Sequence, residues 1–152
     1  MEKKWYQYLS PELLPLVEQS LQLLHQAKAN PYKFDNYDYV VFPFAKAYEP
    51  FLKKYLFDLH LIDEHIYRSK KFSIGRSLNP DVHLEQRDEN WYYDDLVKHC
   101  GQQVAREIWQ TWLKRNQLFH LYPGEIYKLS IVEAEALINQ FIKAIELCWH
   151  CG

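Results

Sequence analysis

Apolar side chains recur at helical spacing in four separate blocks, and this pattern restricts the chain to a helical fold. The last block shows it best. Ser130 opens an S-x-x-E sequence, which is the capping box that starts many helices. The residues that then fall on one helical face are Ala134, Leu137, Ile138, Phe141, Ile145 and Cys148.

The other three blocks have their own start or stop signals. The first begins at Ser10-Pro11, with serine as N-cap and proline at the first helical position. The second covers residues 44–60. The third opens near Trp91, is broken at Gly101 and runs to about residue 121. The pattern therefore predicts an all-α bundle of four to five helices, and a length of 152 residues predicts one domain over 1–152.

Two connections between the blocks are long. Residues 29–44 are predicted as a connection with room for a short extended piece at 39–41, because proline follows Asn30 and Phe42. Residues 62–90 are polar, contain glycine and an Asn-Pro pair, and are predicted as a mobile loop or insertion.

Composition limits the possible functions and compartments. The hydrophobic share of 48% and charged share of 25% are ordinary for a folded protein, and a net charge of −2 provides no general attraction for nucleic acid. No segment has the length of a membrane span, and no signal peptide opens the chain. Three cysteines, an odd number, fit a reducing cytoplasm better than a disulfide framework. A cytoplasmic protein without a membrane partner is expected.

The segment RNQLFH at residues 115–120 is the strongest functional signal. It lies late in the third helical block, just before Pro123-Gly124. Arg115 supplies a fixed cation, Asn116 a hydrogen-bonding amide, and His120 a proton carrier. Together these groups have the chemistry needed to cleave RNA without a metal.

The spacing alone is not specific. Chance predicts about 0.7 matches to R-x(4–6)-H in a chain of this composition. A second match runs from Arg76 to His83, in a segment predicted as loop. The helical context and the amide after the arginine distinguish the match at Arg115.

A helical wheel places Arg115 in the middle of the apolar stripe of its helix, and His120 about 140° away from it. A buried guanidinium needs a partner, a cleft or a second subunit. Arg115 could be a structural arginine paired with a carboxylate of the bundle, and His120 a helix C-terminal histidine favoured by the helix dipole. Because of the divergence, two chains related by a two-fold axis would juxtapose both residues more easily, so the Arg115 face is predicted to dimerise.

Two further groups are candidates. Glu49 lies at the edge of the apolar face of the second helix, where it could belong to a site or pair with Lys53 at i+4. The tail carries Cys148-x-x-Cys151, which could contribute to a zinc site, but no second C-x-x-C accompanies it. We expect Cys148 to be buried, Cys151 to be free and no metal or other cofactor to be bound.

The motif at 115–120 resembles the signature of HEPN-domain ribonucleases. Together with VVFPFAKAYEPFLK at residues 40–53, it is similar to the catalytic domain of RNase LS-type toxins. The resemblance covers roughly residues 37–148. Carried over to this chain, it implies a HEPN-like fold in which Glu49, Arg115 and His120 form the site, with Asn116 orienting the phosphate or the histidine.

The resemblance also implies a function. It predicts a metal-independent endoribonuclease that acts as a homodimer with a composite site, as the toxin of a toxin–antitoxin or antiphage pair. RNA is then the substrate and a cognate antitoxin the protein partner. Two rival hypotheses remain: a catalytically silent HEPN-like adaptor that binds protein or RNA, and a structural helical dimerisation domain.

Overall fold

The computed structural model describes residues 4–120, 123–124 and 127–152. In these residues the chain forms α-helices and two short 3-10 helices, at Lys4–Tyr8 and Leu84–Gln86, and no strand. The α-helices are α1 (Leu14–Ala29), α2 (Asp38–Asp58), α3 (Glu64–Arg68), α4 (Ile74–Ser77), α5 (Tyr93–Cys100), α6 (Gln102–Phe119) and α7 (Ile131–Cys151). Five of them, α1, α2, α5, α6 and α7, are eight residues or longer. The predicted all-α bundle is confirmed.

Helices α2 and α7 form the centre of the bundle. Each has 21 residues, and α7 packs against α1, α2, α5, α6 and the first 3-10 helix. Between them, the fully buried Phe141 of α7 stacks on Phe44 at 5.3 Å and meets Tyr48 edge-on at 5.0 Å. The Tyr48 hydroxyl donates to the Ile108 carbonyl at 3.2 Å, which links α2 to α6.

The sequence signals for helix ends are partly confirmed. Ser130 caps α7, since its Oγ accepts from the Glu133 amide at 3.1 Å. Gly101 separates α5 from α6 with φ +85°, a conformation that favours glycine. The predicted start of α1 at Pro11 is wrong: the chain makes a turn after Ser10, and the helix begins at Leu14. The predicted end of the third block near residue 121 lies outside the described residues.

Helix α2 begins earlier than predicted, at Asp38, so the expected extended piece at 39–41 is wrong. Pro43 lies inside the helix, where a proline costs about 3 kcal/mol or more. Val40, Val41 and Phe44 are fully buried, and burying each such side chain contributes about 1.5–3 kcal/mol. The Phe44 amide also donates to the buried Ser20 Oγ of α1 at 2.9 Å. Packing therefore outweighs the local preference of the Phe42-Pro43 pair.

The segment 62–90, predicted as a mobile loop or insertion, contains short helices. It contains α3, α4 and the second 3-10 helix. Four of its apolar residues are buried in the core, namely Ile62, Phe72, Ile74 and Leu78, whereas Leu84 is exposed. Their spacing is irregular and forms no single periodic stripe, so their burial follows from the way α3 and α4 pack against α2. Its mobility remains a prediction.

The expected free thiol at Cys151 is wrong. Cys151, the last residue of α7, forms a disulfide with Cys100, the last residue of α5, across a Cα–Cα distance of 5.3 Å. The Tyr55 hydroxyl lies 3.0 Å from the Cys100 Sγ. Cys148 is the free, buried cysteine that the helical stripe predicts. The pairing depends on two helix ends meeting in space, which an odd cysteine count cannot reveal.

Candidate functional site

Arg115 projects from α6 onto α2 and is held there by three polar contacts. Its Nε donates to the Ala45 carbonyl at 3.2 Å, and its Nη2 donates to Glu49 Oε2 at 3.1 Å. Its Nη1 lies 3.5 Å from Asn116 Oδ1 on the same helix. The structure thus brings together three of the four predicted site residues: Arg115, Glu49 and Asn116.

Two aromatic rings complete the surroundings of the guanidinium. The Arg115 Cζ lies 4.6 Å from the centre of the Trp112 ring and 4.8 Å from that of Phe119. Such positions are favourable because a cation is attracted to the face of an aromatic ring. The Arg115 side chain is 16% exposed. Burial lowers the pKa of Arg115 from its usual range, and the Glu49 carboxylate opposes that effect. The guanidinium remains protonated.

Glu49 contacts two cations with its two oxygens. Oε2 meets Arg115, whereas Oε1 lies 3.8 Å from the Lys53 Nζ of the next helical turn. The pair with Lys53 that the sequence allows is therefore present, and the same carboxylate also contacts Arg115 of α6. Pro50 does not displace the carboxylate, because α2 continues through it to Asp58. The Glu49 side chain is 34% exposed, so this side of the ion pair reaches the surface.

His120 stands at the exposed end of α6. The helix ends at Phe119, and His120 has an extended backbone with φ −112° and ψ 124°. A continuous helix would fix His120 about 140° from Arg115. The extended conformation removes that constraint, because the imidazole no longer follows the helical wheel. A second chain is therefore not required by the geometry of α6.

The apolar stripe that carries Arg115 is covered by its own chain. Ile108 and Trp112 on this stripe are buried, and Arg115 itself contacts α2. The surface predicted to dimerise is thus partly covered within the chain itself. At the C-terminal end of the stripe, Phe119 is 44% exposed.

The second R-x(4–6)-H match has a different setting. Arg76 lies in α4, and its Nη2 is 3.4 Å from Asp88 Oδ2, with both side chains about half exposed or more. His83 is exposed and precedes the second 3-10 helix. This arginine is an ordinary surface ion-pair residue, whereas Arg115 is embedded between two helices.

Sequence reasoning did not include Trp112, Phe119 or the Ala45 carbonyl in the site. The two rings could have been found, because they lie three residues before and four residues after Arg115, on the same side of a helix. The carbonyl could not, since it depends on the packing of α2 against α6. Gly75 of α4 lies close to the Trp112 ring, and no sequence pattern indicates this contact.

Gly75 is the basis of a prediction about the support of this site. A Cβ added there would lie 2.9 Å from Trp112 Nε1, so the indole would have to move. We expect Gly75→Ala to lower the free energy of unfolding by about 1–3 kcal/mol, as overpacked cores do, and to shift tryptophan fluorescence. Urea unfolding measures the first effect. Since Trp112→Phe removes Nε1, the double variant should lose less stability than the sum of the two single variants. Strict additivity would contradict the clash.

The tail does not provide a zinc ligand pair. Cys148 is buried in the core, and Cys151 is bonded to Cys100. Within residues 4–120, 123–124 and 127–152, no three His, Cys, Asp or Glu side chains are grouped so that they could hold a metal ion. Of the helices described, none is both long and apolar enough to cross a membrane.

Comparisons of the chain with protein-family models, curated proteins and solved structures gave no match. The structure itself defines the class of protein: an all-α bundle with a partly buried ion pair between Glu49 of α2 and Arg115 of α6. Asn116 lies next to the guanidinium of this pair, and the exposed His120 follows the last residue of α6.

Proposed function

We propose that the protein is a HEPN-like endoribonuclease that cleaves RNA without a metal. The observation that carries this proposal is the placement of Arg115, which is oriented by Glu49 and Ala45 and flanked by Asn116, on the helix that His120 follows directly. A guanidinium has five N–H donors, and these described contacts use three of them. Donors therefore remain for a phosphate.

The proposed reaction uses the nucleophile of RNA itself. The 2′-hydroxyl oxygen attacks the adjacent phosphorus, and the bond from phosphorus to the 5′-oxygen breaks. Because an imidazole serves both roles near neutral pH, His120 takes the 2′-hydroxyl proton or gives a proton to the leaving 5′-oxygen, and water exchanges the other proton. Arg115 stabilises the charge on the phosphorane. The products are a 2′,3′-cyclic phosphate and a 5′-hydroxyl, and DNA is left intact.

The resemblance to RNase LS-type toxins supplies the wider proposal. We propose a cytoplasmic toxin that acts as a homodimer and is neutralised by a cognate antitoxin protein. The exposed Phe119 and Leu113 of α6 give a second copy some apolar surface. Sedimentation at high micromolar concentration tests this assembly, and a strictly monomeric protein would remove the composite site from the proposal.

The decisive experiment is the incubation of purified protein with labelled RNA in excess chelator. We expect cleavage to persist, the fragments to carry a cyclic phosphate, and a DNA strand of the same sequence to survive. Protein with His120→Ala, purified in the same way, controls for contaminating nucleases. Cleavage that chelator abolishes, or that the variant retains, would refute the proposal.

A silent adaptor is the second candidate. The observation that favours it is that Arg115 already has a carboxylate partner in its own chain, as a structural arginine would. The net charge of −2 also gives RNA no general attraction. Under this hypothesis the wild type cleaves no RNA in the same assay, and Arg115→Ala changes stability alone.

A further inference from the structure

A row of partly or fully exposed side chains runs along one side of α2, from the N-terminal end of the helix to Glu49. Tyr39, Phe42, Lys46 and Glu49 follow at spacings of three, four and three residues, so they lie along one side of the helix. Lys46 is exposed, and the other three are half-buried. This side therefore carries two aromatic side chains towards the N-terminal end of α2, followed by an exposed lysine and then Glu49.

The N-terminal end of this surface is aromatic. Phe34, which is 50% exposed, packs edge-on against Tyr39 with 5.6 Å between ring centres. The Lys33 Nζ lies 5.2 Å from the centre of the Phe34 ring. An exposed ring next to a lysine suits a nucleotide, because the base can stack on the ring while the phosphate meets the cation.

The middle of the surface connects the aromatic end with the candidate site. Phe42 stacks on Phe119 of α6 with 5.4 Å between ring centres and an interplanar angle of 25°. The other neighbour of Phe119 is Arg115, whose Cζ lies 4.8 Å from the ring centre. Side-chain contacts thus join Phe42 to the guanidinium through one ring.

The dimensions suit a short single strand. Tyr39 and Glu49 are ten residues apart in a continuous helix, which corresponds to about 15 Å. Stacked nucleotides advance about 3.4 Å each, so roughly four of them would cover this distance. Unpaired bases are needed, since the bases of an RNA duplex are already stacked on one another.

We propose that Phe34, Tyr39, Phe42, Lys46 and Phe119 form an RNA-binding surface, the aromatic–lysine surface, which guides single-stranded RNA to Arg115. The exposed Lys46 beside these rings favours RNA over a protein partner, because the centres of protein interfaces are depleted in lysine. Since the net charge is −2, binding depends on these local groups. This inference rests on the proposed function, whose substrate class it narrows to single strands.

Binding is measured with a fluorescent 2′-O-methyl RNA of about 12 nucleotides, which lacks the attacking hydroxyl and cannot be cleaved. We expect Phe34→Ala and Tyr39→Ala each to weaken binding by about 5- to 100-fold, the usual effect of losing one stacking ring. Tyr93→Ala on α5 is the matched control, since Tyr93 is also half-buried but lies away from this surface. Circular dichroism verifies that each variant is folded.

The salt dependence of binding separates the roles of ring and lysine. Lys46→Ala should lower the slope of log K against log salt by about 0.7, the value for one phosphate contact on a single strand. Phe34→Ala should weaken binding without changing that slope. Lys98→Ala on α5 is the control, because Lys98 is exposed and lies outside the surface.

The outcomes distinguish this proposal from the proposed function. If the aromatic and lysine variants bind the oligonucleotide like the wild type, the aromatic–lysine surface is refuted, whether or not RNA is cleaved. If they lose binding but the wild type cleaves no RNA in chelator, the surface stands and the ribonuclease proposal fails. Stronger binding to duplex RNA than to the single strand would also overturn the inference.

Discussion

Replacing His120 or Arg115 by alanine is expected to abolish RNA cleavage with the fold preserved. Loss of a general acid–base typically lowers the rate by about 10²–10⁴-fold, and loss of an electrostatic stabiliser by about 10²–10³-fold. His120 is exposed at the end of α6, so its replacement leaves the core unchanged. Single-turnover cleavage of labelled RNA measures the effect, and circular dichroism verifies the fold.

Matched variants make this prediction specific. Arg106→Ala and His99→Ala change exposed residues of the same types on α6 and α5, and both should cleave RNA like the wild type. Arg115→Lys keeps the charge but loses the planar donors that bind a phosphate in a bidentate way, so it should remain strongly impaired. If His120→Ala keeps full activity, the R-x4-H motif is a coincidence.

Glu49 should matter less than Arg115 for the rate, because it contacts the guanidinium and supports it from α2. We expect Glu49→Gln to cleave more slowly than the wild type but faster than Arg115→Ala. A Lys53→Ala variant separates the contact of Glu49 with Arg115 from its contact with Lys53, since it removes only the 3.8 Å contact between Glu49 Oε1 and Lys53 Nζ. Cleavage by Lys53→Ala should stay close to that of the wild type.

Reduction of the Cys100–Cys151 disulfide is expected to lower the free energy of unfolding by about 2–4 kcal/mol. The bond closes a loop across a separation of 51 residues, which restricts the unfolded chain. Denaturant unfolding with and without reductant measures the difference. A Cys100→Ser/Cys151→Ser double variant should match the reduced protein and be insensitive to reductant. Mass spectrometry verifies that the bond is present in the wild type. If the free energy of unfolding of that protein is the same with and without reductant, the prediction is contradicted.

Cys148 should not exchange with this disulfide near neutral pH. Burial raises the pKa of the Cys148 thiol well above its usual range, so the thiol stays protonated. Exchange requires a thiolate. When the Cys100–Cys151 bond is reduced, α5 and α7 are held together by packing alone. When it is oxidised, the disulfide joins the ends of these two helices covalently.

Local signals predicted the features that depend on neighbouring residues. Ser130 and Glu133 start α7 by a bond between residues three apart, and Gly101 breaks the third block because it tolerates positive φ. The burial of Cys148 follows from its place on the apolar stripe of α7. These interactions act within one or two helical turns, so the sequence pattern contains them.

The candidate residues came from the sequence, but the geometry that relates Arg115 to Glu49 came only from the structure. The sequence indicated Arg115, Asn116, His120 and Glu49, and left open whether Glu49 would pair with Lys53 or belong to a site. The structure shows the carboxylate touching both cations. The contact between Arg115 and Glu49 joins residues 66 positions apart, so it depends on how α6 packs against α2.

The sequence by itself determined the helical class, the main helices and the residue types available for chemistry. Tertiary structure alone decided that α2 extends through Pro43, that the segment 62–90 contributes to the core, and that Cys100 meets Cys151. It also decided that Arg115 faces Glu49 within one chain. The physical reason is the same in each case. Burial and pairing between distant segments outweigh local preferences, and their partners are set by packing and not by spacing along the chain.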